Sequence, residues 1–169
     1  ADQHIAAFGH SYGSLTTSLA LQRGAPVSDV VVYGSPGLEL TNAAQLGVAP
    51  GHAFYLVGAN DAVAQVIPGF RAFGLAPQDV PGMTALSTST GLALGGAYGD
   101  GTLHERAYGH NEYQQLGSNG QLRMSGYNMA AVLAGLPDDL VLPRAIGVDA
   151  LPGGAGPFEW PSPLPLQQR

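Results

Sequence analysis

The chain has 169 residues, of which 45% are apolar and 11% charged, a composition that supports one ordinary folded domain and excludes disorder throughout. Its 12 acidic residues outnumber its 6 basic ones, all of them arginine, and the formal charge of -6 argues against a surface for nucleic acid. It contains no cysteine, which excludes disulfides, thiolate metal sites and a cysteine nucleophile.

Short apolar strands alternate with helical segments in the first half of the chain. In chain order, the pattern predicts a strand at 4–8, a helix at 14–23, a strand at 27–33, a short helix at 40–46 and a strand at 53–57. Glycine follows the first strand and the first helix, where it commonly ends such elements.

The second half carries weaker signals. Residues 83–87 could form a fourth strand, and the five glycines of 91–101 predict a mobile loop. A helix is predicted at 125–136, with Ser125 as its N-cap. Because strands alternate with helices, we expect an α/β fold with about four parallel strands and crossover helices.

The C-terminal residues differ from the rest in composition. Residues 143–169 hold six of the 13 prolines, which predicts a Pro/Gly-rich tail with Phe158 and Trp160 as possible anchors. The expected domain therefore occupies residues 1–142.

Residues 9–13 read GHSYG, the G-x-S-x-G pattern of a serine nucleophile at a strand-to-helix turn. The predicted strand before it and helix after it supply the required context. A β-carbon at either flanking glycine would clash in so tight a turn, and the Tyr12 N–H could stabilise an oxyanion. The alternative is a structural turn in a chain with 25 glycines. His10, inside the motif, is expected to pack or to orient its neighbours.

A serine nucleophile needs a general base and an acid that orients the base, in the chain order serine, acid, histidine. Asp61 follows the third predicted strand, at the sheet end where such enzymes place site residues. It could instead cap a helix or an Asx-turn, and Glu39 is the second candidate acid. His110 is the first candidate base and His104 the second. A metal site is not expected, because Gly109 interrupts the segment that holds both histidines.

Five features follow one another along the chain: GHSYGS, DVVVYGSPG, an aspartate after the next strand, GHNEY and NMAAVLAG. Together they look like the actinobacterial α/β-hydrolase family first catalogued as domain of unknown function 1023. The similarity runs over roughly residues 3–136. GHSYGS alone is shared with many lipases and esterases, whereas the ordered set is more specific. The resemblance implies an α/β-hydrolase fold and a serine hydrolase with Ser11, Asp61 and His110 as its triad. It supplies no substrate.

The expected activity is cleavage of acyl esters or thioesters through an acyl-enzyme intermediate, on a small-molecule or lipid-like acyl substrate and without a cofactor or metal. Two alternatives stay open: an acyltransferase on the same triad, and a non-catalytic binding module that retains the fold. No transmembrane segment is expected, since no run approaches the roughly 18 apolar residues that one requires. The sequence gives no indication of localisation.

The position of the motif creates a further expectation. In an α/β-hydrolase several strands and the second oxyanion loop precede the nucleophile turn, but here the turn begins at residue 9. We therefore expect this chain to be the C-terminal part of such a domain, with an unpaired edge on its first strand. It should need the missing N-terminal half, either in cis or as a separate chain.

Overall fold

A four-stranded parallel sheet organises residues 3–144, the part of the chain that this computed structural model describes. The strands lie side by side in chain order: β1 (Ala6–His10), β2 (Asp29–Tyr33), β3 (Ala53–Leu56) and β4 (Thr84–Ala85). The helices are α1 (Tyr12–Gln22), α2 (Ala62–Gln65) and α3 (Met124–Leu133). Most of the predicted tail, including Phe158 and Trp160, lies outside the described residues.

The centre of the sheet is β2, whose side chains are buried on both faces. Val30 and Val32 point to one face and pack with Leu21 of α1 and Leu38. Val31 points to the other face, where it joins a cluster that includes Met129 of α3. The β-branched run that predicted this strand is thus explained by burial on both faces, as expected for a parallel sheet covered by helices.

The first strand and helix are shifted from their predicted bounds. β1 runs through Gly9 to His10 because its pairing with β2 continues to the pair His10–Tyr33, beyond the apolar run that suggested an end at residue 8. The helix then begins at Tyr12 rather than Ser14. A single residue, Ser11, therefore connects β1 to α1.

Several elements of the second half differ from the prediction. β4 has two residues, and the glycine-rich stretch at 91–101 begins with a short strand, β5 (Gly91–Leu92), that pairs antiparallel with β6 (Leu103–His104). Ser125 does not cap α3, which begins one residue earlier; its hydroxyl donates to the Tyr113 carbonyl at 2.7 Å instead. The predicted helix at 40–46 is reduced to one 3₁₀ turn, Ala43–Leu46, with Asn42 as its cap.

Within the described residues β1 pairs only with β2, so it forms one edge of the sheet. None of the helices in this part of the chain has both the length and the apolar character needed to cross a bilayer.

The two glycines of the GHSYG motif have different environments. A β-carbon on Gly9 would lie 2.7 Å from the Ser14 Cα and 2.9 Å from the Thr17 Oγ1, so β1 and α1 can approach this closely only with glycine there. At Gly13 nothing lies within 4 Å of the added atom. The expected clash is therefore correct for Gly9 and wrong for Gly13, which lies on the exposed side of the first turn of α1.

We expect Gly9→Ala to lower the free energy of unfolding by about 1–3 kcal/mol, because the methyl group must displace helix backbone. Gly13→Ala should instead leave it unchanged or raise it by up to about 1 kcal/mol, because alanine is the better helix former. Urea unfolding of the two variants measures the difference. Equal effects would contradict the close approach of β1 and α1.

Candidate active site

Ser11 occupies a strained turn between β1 and α1. Its backbone has φ 55° and ψ -131°, and of the non-glycine residues described only Arg71 shares a positive φ. Its N–H donates to the Tyr33 carbonyl at 3.0 Å, which extends the pairing of β1 with β2 by one residue. Such a conformation costs on the order of 1–3 kcal/mol and persists only where the surrounding structure enforces it. Here it lifts the half-buried serine out of the line of the strand.

His110 lies between Ser11 and Asp61. Its Nδ1 is 2.9 Å from Asp61 Oδ1 and 3.0 Å from Asp61 Oδ2, and its Nε2 is 2.9 Å from the Ser11 Oγ. Since a carboxylate only accepts hydrogen bonds, Nδ1 carries the proton of the neutral ring. Nε2 is then free to accept the hydroxyl proton of Ser11. The structure brings together the three residues that the sequence singled out, in a continuous hydrogen-bonded chain.

Asp61 is fully buried, and its carboxylate accepts hydrogen bonds on both oxygens. Oδ1 accepts from the backbone amides of Val63 and Ala64 at 3.0 and 3.2 Å, so Asp61 is also the N-cap of α2. Burial raises the pKa of Asp61, but hydrogen bonds from Tyr113, His110 and Ala64 outweigh burial and hold that pKa below its usual value. Asp61 therefore both caps α2 and accepts from His110, two roles that the sequence offered as alternatives.

Tyr113 was not identified from the sequence. Its hydroxyl donates to Asp61 Oδ2 at 2.6 Å and accepts from the Gly58 amide at 2.7 Å, and the ring is buried. The only signal for it was its position three residues after His110. Tyr113 donates to Oδ2, whereas the Ala64 amide donates to Oδ1.

His10 orients the residues around it, as expected. Its ring stacks on Tyr33 with centroids 4.9 Å apart, and its Nε2 donates to the His110 carbonyl at 2.8 Å. The ring also lies 4.6 Å from that of His110. The residue before Ser11 thus holds both the backbone and the ring of His110.

Gly34, the first residue after β2, leaves room for the same group of side chains. A β-carbon there would lie 2.9 Å from Asp61 Oδ2 and 3.1 Å from two atoms of the His110 ring. Any larger residue would therefore disturb the hydrogen bonds between Asp61 and His110.

The second candidate acid, Glu39, and the second candidate base, His104, are not part of the hydrogen-bonded chain of Ser11, His110 and Asp61. Glu39 is exposed, and its carboxylate forms neither a hydrogen bond nor a salt bridge with His110. His104 is buried against Tyr127, with its Nδ1 donating to the Leu122 carbonyl at 2.7 Å. Residues 3–144 contain no cluster of three or more histidine or carboxylate side chains arranged to hold a metal ion.

Tyr12 begins α1, and its backbone N–H has no acceptor among residues 3–144. An unpaired amide at a helix N-terminus, one residue after Ser11, suits an anion that forms beside the Ser11 Oγ. The Tyr12 ring is 62% exposed and stands edge-on to the Phe73 ring, with centroids 6.0 Å apart. An apolar surface therefore lies beside the hydrogen-bonded chain.

Residues 1–72 match the family model described as alpha/beta hydrolase. This segment contains Ser11 and Asp61 but ends before His110. Together with the parallel sheet and its flanking helices, the match confirms the predicted α/β-hydrolase fold for the part of the chain that the structure describes. The match supports the superfamily, while the narrower resemblance to domain of unknown function 1023 stays a prediction.

Three relatives come from mycobacteria. The uncharacterized protein Mb0988c of Mycobacterium bovis and the uncharacterized proteins MT0992 and Rv0963c of two Mycobacterium tuberculosis strains are each 76% identical over 106 residues. That alignment covers 63% of this chain and 40% of each relative, so the chain spans less than half the length of the curated relatives it matches. No solved structure matches the chain significantly.

The strain at Ser11 gives a testable difference between two substitutions that both remove the hydroxyl. We expect Ser11→Gly to be more stable to unfolding than Ser11→Ala by roughly 1 kcal/mol, because glycine adopts the positive φ without strain while alanine keeps the strain. Thermal unfolding of the two variants, followed by circular dichroism, measures this. A Ser11→Ala variant at least as stable as Ser11→Gly would contradict the strained backbone.

Proposed function

We propose that this chain carries the catalytic residues of a serine hydrolase that cleaves acyl esters or thioesters through an acyl-enzyme intermediate. The observation that supports this most is the hydrogen-bonded chain from the Ser11 Oγ through both ring nitrogens of His110 to Asp61. Serine hydrolases use this order of groups, in which a base takes the proton of the nucleophile and a buried acid orients the base. The strained turn at Ser11 is a second support, since backbone strain clusters at active sites.

In the first half of the reaction the Ser11 Oγ attacks the carbonyl carbon of the substrate while His110 Nε2 takes the hydroxyl proton. The Asp61 carboxylate stabilises the imidazolium that forms. The Tyr12 N–H donates to the developing oxyanion. When the tetrahedral intermediate collapses, the bond to the leaving alcohol or thiol breaks and His110 returns the proton to that leaving group, which leaves Ser11 acylated.

Water completes the cycle by the same route. His110 takes a proton from a water molecule as the water oxygen attacks the acyl carbon, and the bond between that carbon and the Ser11 Oγ then breaks. The proton passes to the Ser11 Oγ and the carboxylic acid departs. An acyltransferase would use the same residues with an alcohol or amine in place of water, and nothing among the described residues favours that acceptor.

The apolar surface beside Ser11 supports an apolar acyl group in the substrate. The exposed Tyr12 ring and the half-buried Phe73 ring meet edge to face next to the nucleophile. Burying aromatic surface against a hydrocarbon chain is favourable by about 25 cal/mol for each Å² removed from water. A lipid-like acyl chain therefore suits this surface better than a charged substrate does.

The experiment that tests the proposal is hydrolysis of p-nitrophenyl butyrate by the purified protein and its variants. Ser11→Ala should lower kcat by roughly 10⁶-fold, because the attacking hydroxyl is lost. Asp61→Asn should lower kcat by roughly 10³–10⁴-fold, because asparagine no longer selects the tautomer with a proton on Nδ1. Asparagine is also a good N-cap, so α2 should still form.

Asp79→Asn is the matched control, because Asp79 is exposed and outside the hydrogen-bonded chain; it should hydrolyse the ester at the wild-type rate. Turnover near the wild-type rate in Ser11→Ala would show that Ser11 is not the nucleophile. An Asp61→Asn variant as active as Asp79→Asn would show that Asp61 serves only as a helix cap.

A further inference from the structure

The Tyr113 hydroxyl sits between two fixed partners in the interior. The ring is 1% exposed, and its oxygen accepts the Gly58 N–H at 2.7 Å. Gly58 follows β3, and its N–H occupies one of the positions around the phenol oxygen at which a hydrogen bond can form. The single hydroxyl proton is then directed to Asp61 Oδ2, 2.6 Å away.

The two oxygens of Asp61 are held by different parts of the structure. Oδ1 is held from the α2 side by the backbone amides of Val63 and Ala64. Oδ2 receives no backbone amide among residues 3–144; Tyr113 and His110 donate to it. Rotation of the carboxylate about its bond to Cβ would therefore break the Tyr113 contact. With both oxygens held, the carboxylate faces His110 Nδ1.

We propose that Tyr113 is a positioning residue of this site, which fixes the Asp61 carboxylate against His110 and shares its negative charge. The inference rests on the proposed function, since it assigns Tyr113 a part in the same reaction. The Tyr113 hydroxyl bonds to the Gly58 N–H and to Asp61 but not to Ser11 or His110, so its effect on His110 passes through Asp61. Tyr113 and His110 thus donate to Asp61, and Ser11 donates to His110.

The environment keeps the phenol in its donating form. Burial and the contact with Asp61 both raise the pKa of Tyr113, so the hydroxyl keeps the proton that it donates to Asp61. The other titratable side chains around the site are His10, with its ring 6.0 Å from that of Tyr113, and Tyr33, at 5.4 Å. Neither donates to Asp61.

Tyr113→Phe removes the donor and keeps the ring. The pKa of Asp61 should rise, because the hydrogen bond that lowers it is lost, and the less neutralised carboxylate should favour protonation of the His110 ring. We expect kcat for p-nitrophenyl butyrate to fall roughly 10- to 100-fold with KM unchanged, the loss typical of a hydrogen bond to a charged group. The acid limb of the kcat/KM pH profile should move to higher pH.

Tyr127→Phe is the matched control. The Tyr127 hydroxyl is buried without a hydrogen-bond partner in the described part of the chain, so its removal tests loss of a tyrosine hydroxyl away from Asp61. This variant should keep the wild-type kcat and pH profile.

Tyr113→Phe also leaves the Gly58 N–H without its acceptor, and this loss could prevent folding. A second substitution tests the same inference without that loss. Site-specific incorporation of 3,5-difluorotyrosine at position 113 keeps both contacts and makes the hydroxyl a stronger donor. The acid limb should then move to lower pH, opposite to the effect of phenylalanine. A purely structural role for Tyr113 would not produce shifts of opposite sign.

An unchanged pH profile in both variants would overturn the inference, even if kcat fell, because a packing defect alone would explain the loss. The wild-type protein separates this failure from that of the proposed function. If wild-type turnover depends on Ser11 while the pH profiles do not respond at position 113, only the role of Tyr113 is wrong. If turnover does not depend on Ser11, the proposed function fails and the role of Tyr113 fails with it.

Discussion

The parallel pairing of three strands brings the candidate site together. Because β1, β2 and β3 run side by side in one direction, their carboxyl ends lie together at the same end of the sheet. The residues that follow each strand therefore become neighbours. Ser11 follows β1, Gly34 follows β2 and Asp61 lies five residues beyond the end of β3. The hydrogen bond from the Ser11 amide to the Tyr33 carbonyl ties the strained turn directly to this pairing. Loss of the β1–β2 register would therefore move Ser11 away from Asp61, which β3 positions.

A fully buried carboxylate is the costly part of this arrangement. Taking an ionised side chain out of water is unfavourable unless hydrogen bonds replace its hydration. Asp61 obtains these from two backbone amides, Tyr113 and His110, and its pKa lies below the usual value despite burial. The same contacts that satisfy the charge also fix its direction. Structural stability and the orientation of His110 thus depend on one set of hydrogen bonds.

The sequence predicted the parallel sheet because strand signals alternate with helix signals, and it predicted Ser11 from the G-x-S-x-G motif and Asp61 from its position after the third predicted strand. The end of β1 was misplaced, since hydrogen bonding with a neighbouring strand, rather than an apolar side chain, keeps Gly9 and His10 in the strand. Ser125 was misread as a cap because its true partner, the Tyr113 carbonyl, belongs to a distant loop.

Tyr113 was missed for a related reason. A tyrosine near a histidine is unremarkable in a sequence, and its importance depends on Gly58 and Asp61, more than 50 residues away along the chain. Contacts of this kind have no local signal. Ser11, Asp61 and His110 could be predicted because a motif and their order along the chain indicate them, whereas no motif indicates Tyr113.

The central claim is that His110 and Asp61 make the Ser11 hydroxyl an active nucleophile. The most direct test is to treat the purified protein with a fluorophosphonate, which phosphonylates an activated serine whatever its natural substrate, and to locate the adduct by peptide mass spectrometry. The account predicts one adduct, on Ser11, that forms at the wild-type rate in Asp79→Asn and is strongly slowed in Asp61→Asn. An adduct on another serine, or no adduct on the folded protein, would contradict it.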